Sequence, residues 1–327
     1  MTHALRLARR GLGNSWPNPA VGCVLIREGR VVGRGWTQPG GRPHAEPVAL
    51  AQAGPLARGA TAYVTLEPCA HHGRTPPCAE ALVRAGIARV VTAQTDPDQR
   101  VAGRGHAILR AAGIEVTEGV GEAEARQLQA GFLMRELHGR PFLTLKLATS
   151  FDGRIATAGG ESKWITGQAA RRHSHGLRLI HDAIMVGGGT ARADRPSLNV
   201  RGMGAPRQPV RVILSNGPIP ELPPEGPEFG PLWQMSGGIV DVMKELGARG
   251  ITRVFCEGGG NLAASLLRAG LVDQLVGYTA GLIIGGDGRP AIAALELQRL
   301  AEGGRFQLVE TCRVGGDLFH RWLRIDA

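Results

Sequence analysis

Apolar and polar positions recur along this chain with two periods, and the order of those periods predicts the architecture. Leu5, Ala8 and Leu12 fall on one face of a helix over residues 2–12, with arginines on its other faces. After a turn-rich break at 14–19, residues 21–26 and 31–35 flank Glu28-Gly29 and read as a β-hairpin. Pro43 stands where helices begin and predicts a helix running to about residue 53. A strand over 62–66 follows, then a helix over 78–85, and strands over 89–93 and 114–118 with a helix over 106–112 between them. A charged amphipathic helix over 121–138 ends this region, and the alternation predicts a three-layer α/β domain. His138-Gly139-Arg140-Pro141 interrupts the pattern, which places a boundary between domains 1–140 and 141–327. Beyond it, residues 142–147 read as a strand. Residues 182–186 and 253–256 read as buried strands running into Gly187-Gly188-Gly189-Thr190 and Glu257-Gly258-Gly259-Gly260-Asn261. Such junctions admit a pyrophosphate close to bare backbone amides, but neither is G-x-G-x-x-G, so a pair of tight turns fits equally well.

Composition narrows the class. A chain of 327 residues is comfortable for two domains. The longest early apolar run, residues 20–26, is too short to cross a bilayer, and the basic start has no apolar core after it, so neither a membrane partner nor a signal peptide is expected. Five cysteines make no disulfide framework, and a reducing cytoplasm is the expected location. The net charge of +10 comes from arginines spread along the chain, with only Lys146, Lys163 and Lys244 as lysines. A nucleic-acid binder clusters its basic residues, so no nucleic-acid partner is expected, whereas scattered guanidinium groups suit phosphate on a small ligand.

The candidate chemistry lies in residues 42–81. His44, Cys69 and Cys78 can supply three protein ligands to a tetrahedral zinc and leave its fourth position to water. Glu46 is surplus to coordination, and a carboxylate beside such a water is what hydrolytic deamination needs for moving protons. The set matches the H-x-E…P-C-x-x-C pattern of zinc nucleobase deaminases, except that eight residues separate the two cysteines. A structural site with His71 or His72 as fourth ligand is one alternative, and cysteines packed as small hydrophobes are another. Glu46 favours the catalytic site, because a structural site has no use for it.

The run from Thr65-Leu66-Glu67-Pro68-Cys69 to Thr75-Pro76-Pro77-Cys78 resembles the deaminase motif of the bifunctional riboflavin-biosynthesis deaminase-reductases. So do Pro17-Asn18-Pro19-Ala20-Val21-Gly22-Cys23 upstream, and Asp96-Pro97 with Val101-Ala102-Gly103-Arg104-Gly105 downstream. In the second half, Leu145-Lys146-Leu147-Ala148-Thr149-Ser150-Phe151-Asp152-Gly153-Arg154, Glu161-Ser162-Lys163-Trp164 and Ala193-Asp194-Arg195-Pro196-Ser197-Leu198 follow in family order. The resemblance implies an N-terminal cytidine-deaminase-like three-layer domain and a C-terminal dihydrofolate-reductase-like α/β domain. It implies zinc-dependent hydrolytic deamination of 2,5-diamino-6-(5-phosphoribosylamino)pyrimidin-4(3H)-one, then NADPH-dependent reduction of the ribosyl side chain to ribityl.

For residues, the resemblance implies that Asn18, His71 and Arg74 hold the pyrimidine and its phosphate. Ala148, Trp164, Thr190, Asp194, Gly259, Gly260, Asn261, Leu262, Ala263, Ala264 and Ser265 hold the cofactor. Ser162, Arg178, Leu198, Arg201 and Glu257 hold the second substrate. Lys146 and Asp194 stand at strand or loop ends, where they either assist hydride transfer or serve as exposed structural charges. A homodimer or larger assembly is also implied. Thr37 and Val48 depart from the family, which usually carries a histidine before the zinc histidine and a His or Asn after it. Between residues 214 and 240 the chain reads as shortened, since the Pro- and Gly-rich 218–231 shows no strand where the family has a further strand and helix. A reductase with fewer groups at the cofactor's adenosine end, and hence permissive between NADPH and NADH, is the expectation. A deaminase fused to a non-catalytic domain is one rival reading, and a nucleic-acid-editing deaminase, which leaves the second domain unexplained, is the other.

Overall fold

The computed structural model describes residues 1–72, 76–97, 102–205 and 207–325. They form two compact units, Met1–Gly139 and Arg140–Ala327. In the first, strands β1 (Gly22–Arg27), β2 (Arg30–Trp36), β3 (Thr61–Val64), β4 (Arg89–Thr92) and β5 (Glu115–Thr117) build one sheet in the order β2-β1-β3-β4-β5. The β1–β2 hairpin and the β1–β3 pair are antiparallel, and β3, β4 and β5 run parallel.

Side chains on β1 alternate between two faces, as strand geometry requires. Val24 packs with Ala4 and Leu7 of helix α1 (Thr2–Ala8), while Cys23 and Leu25 enter the main core with Ala45 and Ala49 of α2 (Ala45–Ala53). Gly35 and Gly33 lie opposite Cys23 and Leu25 in register. A Cβ on Gly35 would stand 2.0 Å from the Ala45 carbonyl oxygen, and one on Gly33 would stand 2.3 Å from that of Ala49. These glycines let the α2 backbone rest on the sheet itself, and alanines on the facing helix surface keep the approach close. Helices α3 (Cys78–Arg84) and α4 (Arg104–Ala111) complete that layer, with Ala79, Leu82 and Leu109 in the same core.

The single helix expected over 121–138 is instead two, α5 (Glu122–Leu128) and α6 (Ala130–His138). Gln129 breaks it: its buried side-chain amide donates to the Ala20 carbonyl at 2.7 Å, a tie across 109 positions of sequence that no local pattern reveals.

The second unit holds an eight-stranded sheet in the order β10-β9-β8-β11-β6-β12-β15-β14. Its strands are β6 (Phe142–Thr149), β8 (Ala183–Gly187), β9 (Val210–Leu214), β10 (Leu232–Met235), β11 (Arg253–Cys256), β12 (Gln274–Thr279), β14 (Phe306–Val314) and β15 (Asp317–Arg324). The short β7 (Arg154–Ala156) and β13 (Arg289–Pro290) pair separately. From β10 to β12 the strands run parallel, and β15 and β14 close that side antiparallel. Helices α7 (Gln168–Leu179), α8 (Gly188–Asp194), α9 (Ile239–Ala248) and α10 (Gly260–Arg268) link them.

Carboxylates pin the strand starts. Asp182 accepts hydrogen bonds from the Thr252 amide and hydroxyl and from the Arg253 amide, and Asp273 accepts two from Arg140 and one from the Leu143 amide. The opposite ends of the parallel strands, where α/β sheets place their ligands, are left open. β10 corrects the expectation of a missing strand. Residues 218–231 hold no strand, but 232–235 pair parallel with β9 and α9 follows. Leu-Trp-Gln-Met has no β-branched residue and follows a proline, so periodicity did not register it.

The close approach of α2 predicts that Gly35→Ala destabilises the first unit. Overpacking typically costs about 1–3 kcal/mol, and here the obstruction is backbone. Thermal melting followed by circular dichroism should show a clear drop for Gly35→Ala and little change for the exposed Arg30→Ala on the same strand. Equal melting of the two would mean that α2 does not rest on β2.

Candidate functional site

Three local structures converge in the first unit. His44 is the N-cap of α2, Cys69 stands in the turn that follows β3, and Cys78 opens α3 behind two prolines. One ligand atom from each lies within 4.8 Å of the other two. His44 Nδ1 is 3.4 Å from Cys78 Sγ and 3.8 Å from Cys69 Sγ. Zinc bonds of about 2.1 Å to nitrogen and 2.3 Å to sulfur in a tetrahedron put neighbouring ligand atoms roughly 3.5–3.8 Å apart. The spacing fits.

The donor chemistry fits as well. Cys69's thiol is pushed down to about 4, first by its hydrogen bond with Cys78, against burial, and then by His44. Cys78 is driven upward by its bond to Cys69 and by burial. Opposite shifts on two neighbouring thiols mark a pair that disfavours two negative charges, and a divalent cation relieves that. The Cys78 amide also donates to Cys69 Sγ at 3.3 Å, and the Ala79 amide donates to the Cys69 carbonyl at 3.2 Å.

Glu46 stands outside the ligand group, in the first turn of α2 and 3% exposed. Burial, and then the neighbouring Cys69, push its carboxyl up to about 7. A carboxyl in that range both accepts and returns a proton near neutral pH. Neither His71 nor His72 joins the ligand group, which leaves a four-ligand structural site without a fourth ligand among the described residues. His72 Nε2 instead lies 3.6 Å from Glu80, and His71 Nδ1 is buried with no hydrogen-bond partner among the described residues. Asn18 donates to the Gly41 carbonyl at 2.8 Å, just before the histidine, while Arg74 lies outside the described residues. Thr37 is buried, and its hydroxyl accepts from the Val21 amide at 2.9 Å.

The second unit has a cavity of about 1070 Å³ at the open ends of its parallel strands. Ala148, Ser162, Trp164, Arg178, Thr190, Asp194, Leu198, Arg201, Glu257 and Lys146, all singled out from sequence, line it. At its floor Arg178 makes a two-pronged pair with Glu257, at 2.5 and 3.0 Å, and Lys146 Nζ lies 3.7 Å from the same carboxylate. Burial alone would raise the Glu257 carboxyl, but Arg178 and Lys146 hold it down at about 2. Burial lowers Lys146, with Glu257 opposing. Asp194 is exposed at the end of α8. Arg195 and Leu198, both lining the cavity, hold left-handed backbone with φ of 42° and 49°, a strain that collects at ligand sites.

The glycine turn is divided. The Gly259 amide donates to Thr190 Oγ1 at 3.1 Å, beside the cavity, whereas Leu262, Ala263 and Ala264 of α10 are buried and the Ser265 hydroxyl bonds to the Asn261 carbonyl. Lining residues not singled out from sequence include Arg171, Arg172, Ser174, His175 and Tyr278. His175 precedes Arg178 by one helical turn, a spacing that could have flagged it. Its imidazole is lowered to about 4 by burial and then by Arg178 and Arg201. Tyr278 pairs in register with Ala148, and its hydroxyl lies 2.8 Å from His173 Nδ1.

Comparison with known proteins bears on both sites. Residues 1–94 match the family model "Cytidine and deoxycytidylate deaminase zinc-binding region", and residues 141–224 and 232–319 match "RibD C-terminal domain". The riboflavin biosynthesis protein RibD of Escherichia coli is 41% identical over 97% of this chain and 96% of its own. That of Haemophilus influenzae is 42% identical over 97% and 95%. Among solved structures, Acinetobacter baumannii RibD superposes with a TM-score of 0.90 at 39% identity, covering 99% of this chain and 98% of that one. The diaminohydroxyphosphoribosylaminopyrimidine deaminase/5-amino-6-(5-phosphoribosylamino)uracil reductase of Thermotoga maritima does so at 0.87 and 33%, covering 99% and 97%. With a His-Cys-Cys zinc site in a deaminase fold, and a reductase fold whose family uses a nicotinamide cofactor, this chain belongs to the RibD family of bifunctional riboflavin-biosynthesis enzymes.

Proposed function

We propose that residues 1–140 hydrolyse the 2-amino group of 2,5-diamino-6-(5-phosphoribosylamino)pyrimidin-4(3H)-one, and that residues 141–327 reduce the ribosyl chain of the product with NADPH. The observation that carries the first half is the convergence of His44, Cys69 and Cys78 with the non-ligand Glu46 at their side. Zinc held by His44, Cys69 and Cys78 would supply a Lewis acid that brings the pKa of a bound water toward neutrality. As the water's oxygen bonds to the ring carbon, Glu46 would carry one of its protons to a ring nitrogen and the other to the amino group, whose C–N bond then breaks to release ammonia. Its raised pKa, set by burial and Cys69, suits a group that must both accept and release protons. Asn18 and His71 are assigned to the pyrimidine, with Arg74 on the phosphate.

For the second half, the bound nicotinamide cofactor supplies the hydride, and the chain's part is to place it against the sugar. Ala148, Trp164, Thr190, Asp194 and the backbone of the turn from Gly259 to Ser265 are assigned to the cofactor. Ser162, Arg178, Leu198, Arg201 and Glu257 are assigned to the substrate. Glu257 anchors Arg178 and Lys146 on the cavity floor, and Arg201 at the rim suits a phosphate. With β10 and α9 in place, the reason for expecting a permissive reductase falls away. Arg171, Arg172 and Arg195 around the same cavity support NADPH as the reductant. A cytoplasmic homodimer or larger, without nucleic-acid or membrane partners, belongs to the same reading. Among the described residues no helix is long and apolar enough to cross a membrane.

Glu46→Gln should keep its zinc and lose deamination by about 10²–10⁴-fold, the usual contribution of a positioned acid–base group. Metal analysis beside a rate assay checks this, and loss of zinc from the variant would make Glu46 a ligand and the role assignment wrong.

Cys69→Ala should lose zinc and deamination yet still reduce pre-deaminated substrate, with NADPH preferred over NADH by about 10-fold or more, as one charge-assisted phosphate contact provides. Loss of both activities in a folded protein would argue against independent sites. Equal rates with the two nucleotides would remove the arginines from phosphate recognition.

A further inference from the structure

Two features of the first unit take no part in the chemistry above: the buried carboxylate of Glu67 and the sequence pattern from Asp96 to Gly105. They meet. Glu67 is 3% exposed and lies two positions before the ligand Cys69. Its Oε1 accepts from the amides of Gly105 at 2.8 Å and His106 at 3.3 Å, and its Oε2 from those of Gly103 at 2.9 Å and Asp96 at 3.2 Å. Gly103 is the N-cap of α4, so three of these donors are amides at the start of that helix, which no residue of the helix could satisfy. The carboxylate is a cap supplied from another strand's end, at the positive pole of the helix.

The glycines of the pattern make this geometry possible. Gly103 holds φ of 77°, a left-handed conformation. A Cβ on Gly105 would stand 2.0 Å from the Pro68 carbonyl oxygen, so α4 presses directly on the residue before Cys69. On its other side the Cys69 turn is tied to α3 through the amides of Cys78 and Ala79. The ligand therefore stands on a turn clamped between two helix starts.

We propose that Glu67 is the positioning residue for Cys69: by capping α4 it fixes the turn that presents this sulfur to zinc. The inference rests on the zinc-site reading. Residues that orient a metal ligand typically contribute about 10–100-fold in affinity, and Glu67→Gln, which replaces one accepting oxygen by a donor facing amides, should weaken zinc binding by that factor. Gly105→Ala should shift it in the same direction by displacing Pro68, while Glu80→Gln on α3 should leave it unchanged. The measurement is zinc competition against a chromogenic chelator on the full chain, with the visible spectrum of the cobalt-substituted protein as a report on ligand geometry. A cap that serves stability alone would lower the melting temperature and leave affinity and cobalt spectrum as in the wild type. That result in folded Glu67→Gln overturns the proposal. Should Glu67→Gln not fold, Gly105→Ala decides by the same two readouts. A wild-type chain that holds no zinc would overturn the site reading itself, and this inference with it.

Discussion

Two thiols and an imidazole brought within 4.8 Å of one another set the condition that the first unit must meet. Burial and the bond between them push Cys69 down and Cys78 up, so full ionisation of both sulfurs is disfavoured without a cation. A zinc ion resolves the conflict, but only if three separate backbone segments arrive together. The sheet delivers them. Gly33 and Gly35 let α2 settle against β2, which places His44 and Glu46; β3 ends in the Cys69 turn; and the prolines before α3 set Cys78 at a helix start. The Glu46 carboxyl shares this burial, so the packing that assembles the ligand group also raises its pKa.

In the second unit a charge problem of the same kind is solved with protein groups alone. Glu257 is largely enclosed at the cavity floor, and without Arg178 and Lys146 its charge would be expensive. The three groups hold one another in place before any ligand arrives, so little ordering cost is left to binding. Carboxylates at the strand starts, Asp182 and Asp273, do the complementary work of fixing the sheet so that its other ends can remain open.

Much of this was legible in the chain, for a physical reason. Metal chemistry restricts residue types so strongly that His44, Glu46, Cys69 and Cys78 stand out even with an unusual spacing. The β1–β2 hairpin and the helix over Pro43 declare themselves through local turn and cap preferences. The cavity residues Lys146, Arg178 and Glu257 came from resemblance, since nothing local links a strand, a helix and a glycine turn. What stayed hidden depends on partners distant in sequence. Gln129 breaks a helix for the sake of Ala20, and Glu67 caps a helix that begins beyond Gly103. β10 is a strand because β9 offers an edge to pair with, not because its four residues favour extension.

If one chain deaminates and then reduces one pyrimidine ribosylamine phosphate, its two products must appear in that order. Incubating the purified, zinc-loaded protein with the diaminopyrimidine phosphate, with and without NADPH, and following products by mass tests this most directly. A single product is expected without NADPH, in which an amino group has been replaced by oxygen, and adding NADPH should convert it to a species with two further hydrogens. Reduction of the starting material with its amino group intact, or no change in either mixture, would contradict it.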